Sequence, residues 1–290
     1  MSDDKRKNDQ RSEVEWSFDF GRLGESLNKL FTSLVGDEEL RREHFEAPLG
    51  SARAARIDLS FSVGRSSVRA LPSGSPLLLL ADVETIEEVD FVALEGEIAS
   101  VKLQPRPTKG VNLAPLRQSL RALVRRDDLH WDCQLSSRVP LDLHLSMGIG
   151  QVIADLSSLQ LKRLEVDGSV GALELVLPVQ ELPYAVDIDS GVGEIKVTVP
   201  NGAFVTLDID GGVGETTITI PHETPLQVRA EAGIGNLNLP KTLERIRGGE
   251  GFVGASGIWQ SVGFDLAERR VVVHYDGGVG ELNVRYPQVV

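Results

Sequence analysis

The fold of this chain is decided by the stretch Asp189-Ser190-Gly191-Val192-Gly193-Glu194-Ile195-Lys196-Val197-Thr198-Val199-Pro200. After the second glycine, polar and apolar residues alternate, which predicts a strand with one face buried. The Gly-Val-Gly step predicts a tight turn that needs a positive φ. The proline then ends the strand, because it has no N–H to give to a neighbouring strand.

This pattern repeats along the chain. The second glycine of each copy, here called a corner glycine, recurs mostly every 21–22 residues, at Gly64, Gly150, Gly171, Gly193, Gly214, Gly235 and Gly280. Such a unit cannot bury its apolar face alone, so the repeat predicts stacked rungs about 4.8 Å apart. A leucine-rich repeat has a similar period, but the copies lack its helical half. The sequence therefore predicts an all-β protein, a β-solenoid.

Acidic residues recur at fixed distances from the corner glycines. One set, four residues before, is Asp167, Asp189, Asp210, Glu231 and Asp276; the other, one residue after, is Glu194, Glu215 and Glu281. In a stack they would form two acidic columns, which repel unless screened, paired or bridged by a cation. The first set is the candidate metal site. The calcium-binding signature G-G-x-G-x-D is absent, so we favour exposed turn residues and expect no cofactor.

The first 47 residues do not carry the repeat. Residues 1–16 are charged and predicted to be disordered. Residues 17–47 are predicted to be an amphipathic helical segment, which either caps the first rung or docks onto a partner. Its candidate interaction residues are Phe18, Phe20, Leu23, Leu27, Leu30 and Phe31.

The solenoid is predicted to span residues 48–290, with two insertions. The first, residues 106–130, is basic and contains a predicted helix near residues 113–126. Its arginines Arg117, Arg121 and Arg125 either pair with acids of the solenoid or bind an acidic partner. The second insertion, residues 241–263, is glycine-rich and predicted to be a loop.

Composition and motifs exclude several functions. The net charge of −13 argues against nucleic-acid binding, because like charges repel. No copy of Gly-x-Gly extends to G-x-G-x-x-G, and we find no catalytic motif. No apolar run is long enough to span a membrane, although peripheral membrane contact stays open. The one cysteine, Cys133, allows no intramolecular disulfide, and we expect a cytoplasmic protein, membrane-associated only through a partner.

The motifs also resemble a known family. The series runs from Trp131-x-x-x-Leu135 through Val139-Pro140-Leu141-x-Leu143-x-Leu145-x-x-Gly148-Ile149-Gly150 to the repeated Gly-Val-Gly. It is similar to the toast-rack domains of bacterial LiaF-type cell-wall-stress response proteins and related adhesin-like proteins. The resemblance covers roughly residues 48–290 and implies a single-stranded right-handed β-helix without catalytic residues. LiaF-type members carry membrane helices, whereas this sequence shows none.

These observations predict a non-enzymatic interaction module, in bacterial cell-envelope stress signalling or assembly. The alternative is a structural scaffold that associates with itself. A polysaccharide-active β-helix enzyme is the least favoured hypothesis, because it needs paired acids with aromatic platforms and the chain has three tryptophans and three tyrosines. The expected partner is another protein or a second copy.

Overall fold

The computed structural model describes residues 40–106, 129–248 and 256–287. Within these ranges there are strands and one 3-10 turn (Phe264–Leu266), and no helix is long and apolar enough to cross a membrane. The strands are β1 (Arg41–Pro48), β2 (Ala54–Ser60), β3 (Val63–Ala70), β4 (Leu77–Thr85), β5 (Val89–Leu94), β6 (Ile98–Pro105), β7 (His130–Leu135), β8 (Pro140–Ser146), β9 (Ile149–Asp155), β10 (Gln160–Asp167), β11 (Val170–Val176), β12 (Tyr184–Thr198), β13 (Val205–Thr219), β14 (Leu226–Asn238), β15 (Glu244–Arg247), β16 (Ser256–Gln260) and β17 (Val271–Arg285).

Each rung consists of two strand segments joined at a corner glycine. In β12, β13, β14 and β17 the two segments form one long bent strand, whereas β2/β3, β8/β9 and β10/β11 divide at the corner. Neighbouring rungs are parallel and in register, so that Gly193 lies beside Gly214 and Asp189 beside Asp210. The predicted rung of 21–22 residues is therefore confirmed, and Gly64 belongs to the first copy because it pairs with Gly150.

Aliphatic side chains fill the space inside the rungs. Period-2 alternation sends every second residue inward, as with Leu207, Ile209 and Ile218, which are all buried. One continuous cluster of buried residues extends from Ala47 to Val284. The low aromatic content is compatible with this core because stacked Val, Leu and Ile side chains pack against their counterparts in the next rung.

The rungs do not stack in sequence order at the two ends. Strand β17 lies between β13 and β14, and the rung β2/β3 lies between β6/β7 and β8/β9. The prediction of one continuous single-stranded winding is therefore wrong at the ends, although the middle rungs follow it. Two equivalent rungs can exchange places because their corners and apolar positions are alike. The predicted right-handedness stays a prediction.

Antiparallel strands close both ends of the stack. Strand β1 pairs with β4, and β5 pairs with β6. The predicted boundary at residue 48 is thus too late, since Arg41–Pro48 is a strand and not part of a helical segment. The ring of Phe45 packs against that of Phe91 in a tilted arrangement, with ring centroids 5.1 Å apart. The helix predicted upstream, and the one predicted near 113–126, lie outside the described residues.

At the other end, the described part of the second insertion is a hairpin rather than a loop. Strand β16 pairs antiparallel with both β14 and β15, and so extends the sheet beyond β14. Arg245 lies over the ring of Trp259 at 5.2 Å. The glycines had suggested a loop, but Ser256–Gln260 forms backbone pairs with both β14 and β15.

Candidate functional site

The seven corner glycines all have positive φ angles, from 127° at Gly64 to 156° at Gly193. A Cβ atom at Gly193 would collide with the carbonyl oxygen of Gly171 in the next rung, and the same contact recurs between neighbouring corners. Only glycine satisfies both the backbone angle and this close approach. The seven glycines lie at the corners of the rungs and set the register of the side chains around them.

The first acidic column is in register as predicted. Asp167 pairs with Asp189, Asp189 with Asp210, and Asp210 with Asp276, while Glu231 pairs with Asp276 from the other side. All five side chains are exposed. Because two rungs exchange places at the C-terminal end, Asp276 lies between Asp210 and Glu231 in space.

A second acidic row lies two residues earlier on each rung. Glu165, Asp187, Asp208 and His274 are neighbours in this row. The two rows together line an open groove of about 700 Å³, here called the acidic groove. Its carboxylates are Glu165, Asp167, Asp187, Asp189, Asp208, Asp210, Glu231 and Asp276.

Some of these carboxylates have a basic side chain as a partner. His274 Nδ1 lies 2.6 Å from Asp208, His144 Nε2 lies 2.8 Å from Asp167, and Arg163 lies 2.8 Å from Asp187. By contrast, Asp189, Asp210 and Asp276 form no ion pair or side-chain hydrogen bond with any residue of the described ranges. Three successive like charges therefore stand side by side in the middle of the groove, which is destabilising unless they are screened or bound.

His144 joins the groove to the first rungs. Its Nε2 contacts Asp167 and its Nδ1 lies 3.3 Å from Asp58, so both ring nitrogens face carboxylates. Partial burial by itself would lower the pKa of His144, but the bonds to Asp167 and Asp58 outweigh it and the pKa is raised above 6.5. The imidazolium is the form that donates to both partners.

The groove does not have the geometry of a metal centre. In the described parts of the chain, no three or more His, Cys, Asp or Glu side chains converge on one point. The carboxylates lie in extended rows at rung spacing, which suits a long cationic ligand better than one ion. Tyr275, whose ring is buried, is the aromatic residue that contributes to the lining.

The second predicted column, Glu194, Glu215 and Glu281, is also in register. Its charges are largely satisfied. Lys196 lies 2.8 Å from Glu194, Asn283 donates to Glu215 at 2.8 Å, and Asn236 donates to Glu281 at 2.9 Å. The two columns thus have the same charge pattern in sequence and different electrostatic environments in the structure.

The middle residue of each Gly-Val-Gly corner is exposed. These side chains are in register along the stack and form a stripe, here called the aliphatic ridge, which consists of Val170, Val192, Val213, Val279 and Ile234. Glycine or serine stands on the N-terminal side of each and glycine on the C-terminal side, so the flanking corner residues leave the ridge side chains unshielded. The ridge lies three residues beyond the first acidic column on each rung.

The other predicted interaction residues cannot be placed. Phe18, Phe20, Leu23, Leu27, Leu30, Phe31, Arg117, Arg121 and Arg125 lie outside the described residues. Sequence reasoning missed the second acidic row and the ridge. Both had a signal: the acid-apolar-acid triplet recurs before successive corners, and the corner valine repeats with the glycines that were taken only as a turn.

Comparison with known families gives a match over residues 36–198 to the family described as the N-terminal domain of toast_rack, DUF2154. This chain belongs to the toast-rack family. The rungs from β13 to β17 lie beyond the matched residues and continue the same register. Family membership agrees with the resemblance seen in the motifs.

Two solved structures are similar to the toast-rack chain. A proposed cell adhesion protein from Clostridium sporogenes ATCC 15579 has a TM-score of 0.55 and 19% identity, over 86% of this chain and 100% of that one. A proposed adhesin from Bacteroides fragilis NCTC 9343 has a TM-score of 0.29 and 11% identity, over 86% and 98% of the two chains. The first likeness shows a shared fold. A comparison with curated proteins finds no significant match.

Proposed function

We propose that this chain is a non-enzymatic interaction module that binds a cationic segment of another protein in the acidic groove. The observation that carries this proposal is the row Asp189, Asp210 and Asp276, three adjacent carboxylates without a partner in the described chain. Rungs about 4.8 Å apart place these charges at a spacing that costs stability. Proteins keep such costs at functional sites, where a ligand offsets them.

The shape of the groove supports a protein ligand. An open groove lined by carboxylates on successive rungs can bind an extended or helical segment that carries several Lys or Arg side chains. Among the described residues that line it, Tyr275 is the one Phe, Tyr or Trp, and its buried ring gives no exposed platform for a sugar. Membership of the toast-rack family and the likeness to a cell adhesion protein support binding rather than catalysis.

The finer proposal concerns the setting. We place the partner in a bacterial cell-envelope stress response, with this chain in the cytoplasm and reaching the membrane through that partner. The resemblance to LiaF-type proteins supports this setting.

The test compares two triple variants of equal charge. Asp189→Asn/Asp210→Asn/Asp276→Asn removes the unpaired row, and Glu194→Gln/Glu215→Gln/Glu281→Gln removes the satisfied column. The probe is a fluorescent peptide rich in Lys and Arg, followed by anisotropy at low and physiological salt. We expect the first variant to bind about tenfold more weakly and the second to change little, because only the first alters the groove. Equal weakening by both variants would show that net charge alone attracts the peptide, and would contradict the proposal.

Self-association as a scaffold is the second candidate. Apolar side chains are exposed on strands near both ends of the stack, with Leu94 63% and Ile98 72% exposed at one end and Ile246 53% at the other. Edge strands with exposed apolar residues promote association between copies. Light scattering over a range of concentrations tests it, and a molecular mass that stays monomeric throughout contradicts the scaffold.

A further inference from the structure

The aliphatic ridge leaves a continuous apolar strip in water. The exposed fraction is 46% at Val170, 39% at Val192, 41% at Val213, 42% at Val279 and 64% at Ile234. Isolated exposed valines are ordinary, but five in register on consecutive rungs form a contiguous patch. Such a patch marks a surface that another segment covers.

The same line of residues is covered at its N-terminal end. Val63 and Ile149 occupy the ridge position of the two preceding rungs. Val63 is only 7% exposed, because it packs in a small cluster with Leu129, which is also contacted by Leu40, Ile86 and Ile149. The corner position is therefore shielded where Leu40 lies and exposed farther along the stack.

Leu40 directly precedes β1 and packs against the cluster of Val63 and Leu129, so β1 begins beside the end of the ridge. Upstream lie residues 36–39 and then the predicted amphipathic helix. We propose that the leader segment Phe18–Val35 of this same chain lies along the aliphatic ridge and covers Val170, Val192 and Val213. This docking is independent of the acidic groove and its ligand.

The lengths agree. A helix of the 18 residues Phe18–Val35 is about 27 Å long at 1.5 Å per residue. The ridge positions from Ile149 to Ile234 span five rung steps, or about 24 Å. The four residues between helix and sheet can reach about 13 Å, enough to bring the end of the helix over Ile149.

The helix also has a suitable face. At 3.6 residues per turn, Leu23, Leu27, Leu30 and Leu34 share one side of the predicted helix, and Arg22, Glu25 and Lys29 lie opposite. An amphipathic helix can lay its apolar face on this strip, because the residues on both sides of it are glycine or serine and leave room for the helix. The rival occupants are the basic segment 107–128, which rejoins the sheet beside Leu129, and the leader of a second copy.

The first experiment is cross-linking in the full chain. Cys133 is fully buried and burial raises the pKa of its thiol, so engineered cysteines react selectively. We expect Leu27→Cys/Val192→Cys to give an internally cross-linked monomer with a short bis-maleimide. The control Leu27→Cys/Thr198→Cys uses an exposed site on the same rung, six residues away from the ridge, and should not cross-link.

The second experiment does not require a cross-link. The labelling rate of Val192→Cys by a bulky maleimide is measured with and without Leu27→Asp/Leu30→Asp in the leader. We expect the aspartates to raise this rate about tenfold, since charge on the apolar face disfavours docking, and to leave Thr198→Cys unchanged. Cross-linked dimers in place of the internally cross-linked monomer, or a labelling rate at Val192→Cys that the aspartates leave unchanged, would each overturn the proposal.

Discussion

Each corner glycine has a backbone angle that disfavours a side chain, and it also lacks the space for a Cβ atom. The φ angle of 156° at Gly193 is one that L side chains rarely adopt, and the place of its missing Cβ is occupied by the carbonyl of Gly171. The corners therefore stack because their residues have no side chains. This is why the spacing of the corner glycines predicts which residues lie side by side in neighbouring rungs.

We expect Gly193→Ala to destabilise the protein by about 3 kcal/mol, because it adds backbone strain and a collision that the rigid stack cannot relieve. The matched control is Gly96→Ala, where the nearest atom to a new Cβ is 3.5 Å away and φ is not positive. Urea unfolding of both variants measures the difference. Similar midpoints for the two alanines would show that the corners can relax.

His144 makes stability depend on pH in a defined direction. Because its folded pKa is raised, its contribution is fully present below about pH 6.5 and is lost as the pH rises through the raised pKa. We expect His144→Gln to lower the urea concentration at the midpoint of unfolding at pH 6, and to have less effect on it at pH 8.5. His222→Gln is the control, since that ring lies against Tyr286 instead of two carboxylates. A loss that is equal at both pH values would contradict this role.

At the scale of elements, the exchanged rungs decide which strands touch. Thr206 lies directly beside Val272, and Val272 lies beside Gln227. We expect the pair Thr206→Cys/Val272→Cys to form a disulfide, because neighbouring strands bring Cα atoms within bonding range. Thr206→Cys/Gln227→Cys, which would be neighbours in a stack that follows the sequence, should not form one. Non-reducing electrophoresis separates the two results, and oxidation of the second pair would refute the order of the rungs.

The features that depend on local sequence pattern could be predicted from the sequence. Alternation and corner glycines defined the rungs, and their spacing defined the register of the first acidic column. The order of the rungs was not predictable in the same way, because β14 and β17 carry nearly the same signature and either could follow β13. The strand β1 was missed because its inward positions, Phe45 and Ala47, follow polar residues and precede no corner glycine. The second acidic row was legible in the sequence but was read only as strand alternation.

At the scale of the whole molecule, repulsion between negative charges lowers the stability of the fold. The chain carries a net charge of −13, and the unpaired row concentrates part of it in one groove. We expect the melting temperature to rise when NaCl is raised from about 20 to about 300 mM, because a shorter Debye length screens the repulsion between the carboxylates. The Asp189→Asn/Asp210→Asn/Asp276→Asn variant should have a higher melting temperature at low salt, and added NaCl should raise that temperature less. A steeper salt dependence in that variant would contradict the assignment of repulsion to this row.

Calcium provides a separate test of the carboxylates. Because they lie in rows rather than around one point, CaCl₂ at matched ionic strength should raise the melting temperature by no more than a few degrees beyond NaCl. Calorimetric titration checks the same expectation. A large and saturable rise would reveal a bound ion and would make the groove a cation site.

The position of β17 has a consequence for synthesis on the ribosome. The chain is made from its N-terminus, so β14, which ends at Asn238, is complete before β17 begins at Val271. At about 5–20 residues per second, the interval to the end of β17 is about 2 to 10 seconds. During this interval the edge of β13 is exposed, and β14, whose sequence pattern is nearly the same as that of β17, is already available to pair with it. Strand β17 must then enter between two strands that already exist, so these rungs finish folding only after β17 has left the ribosome.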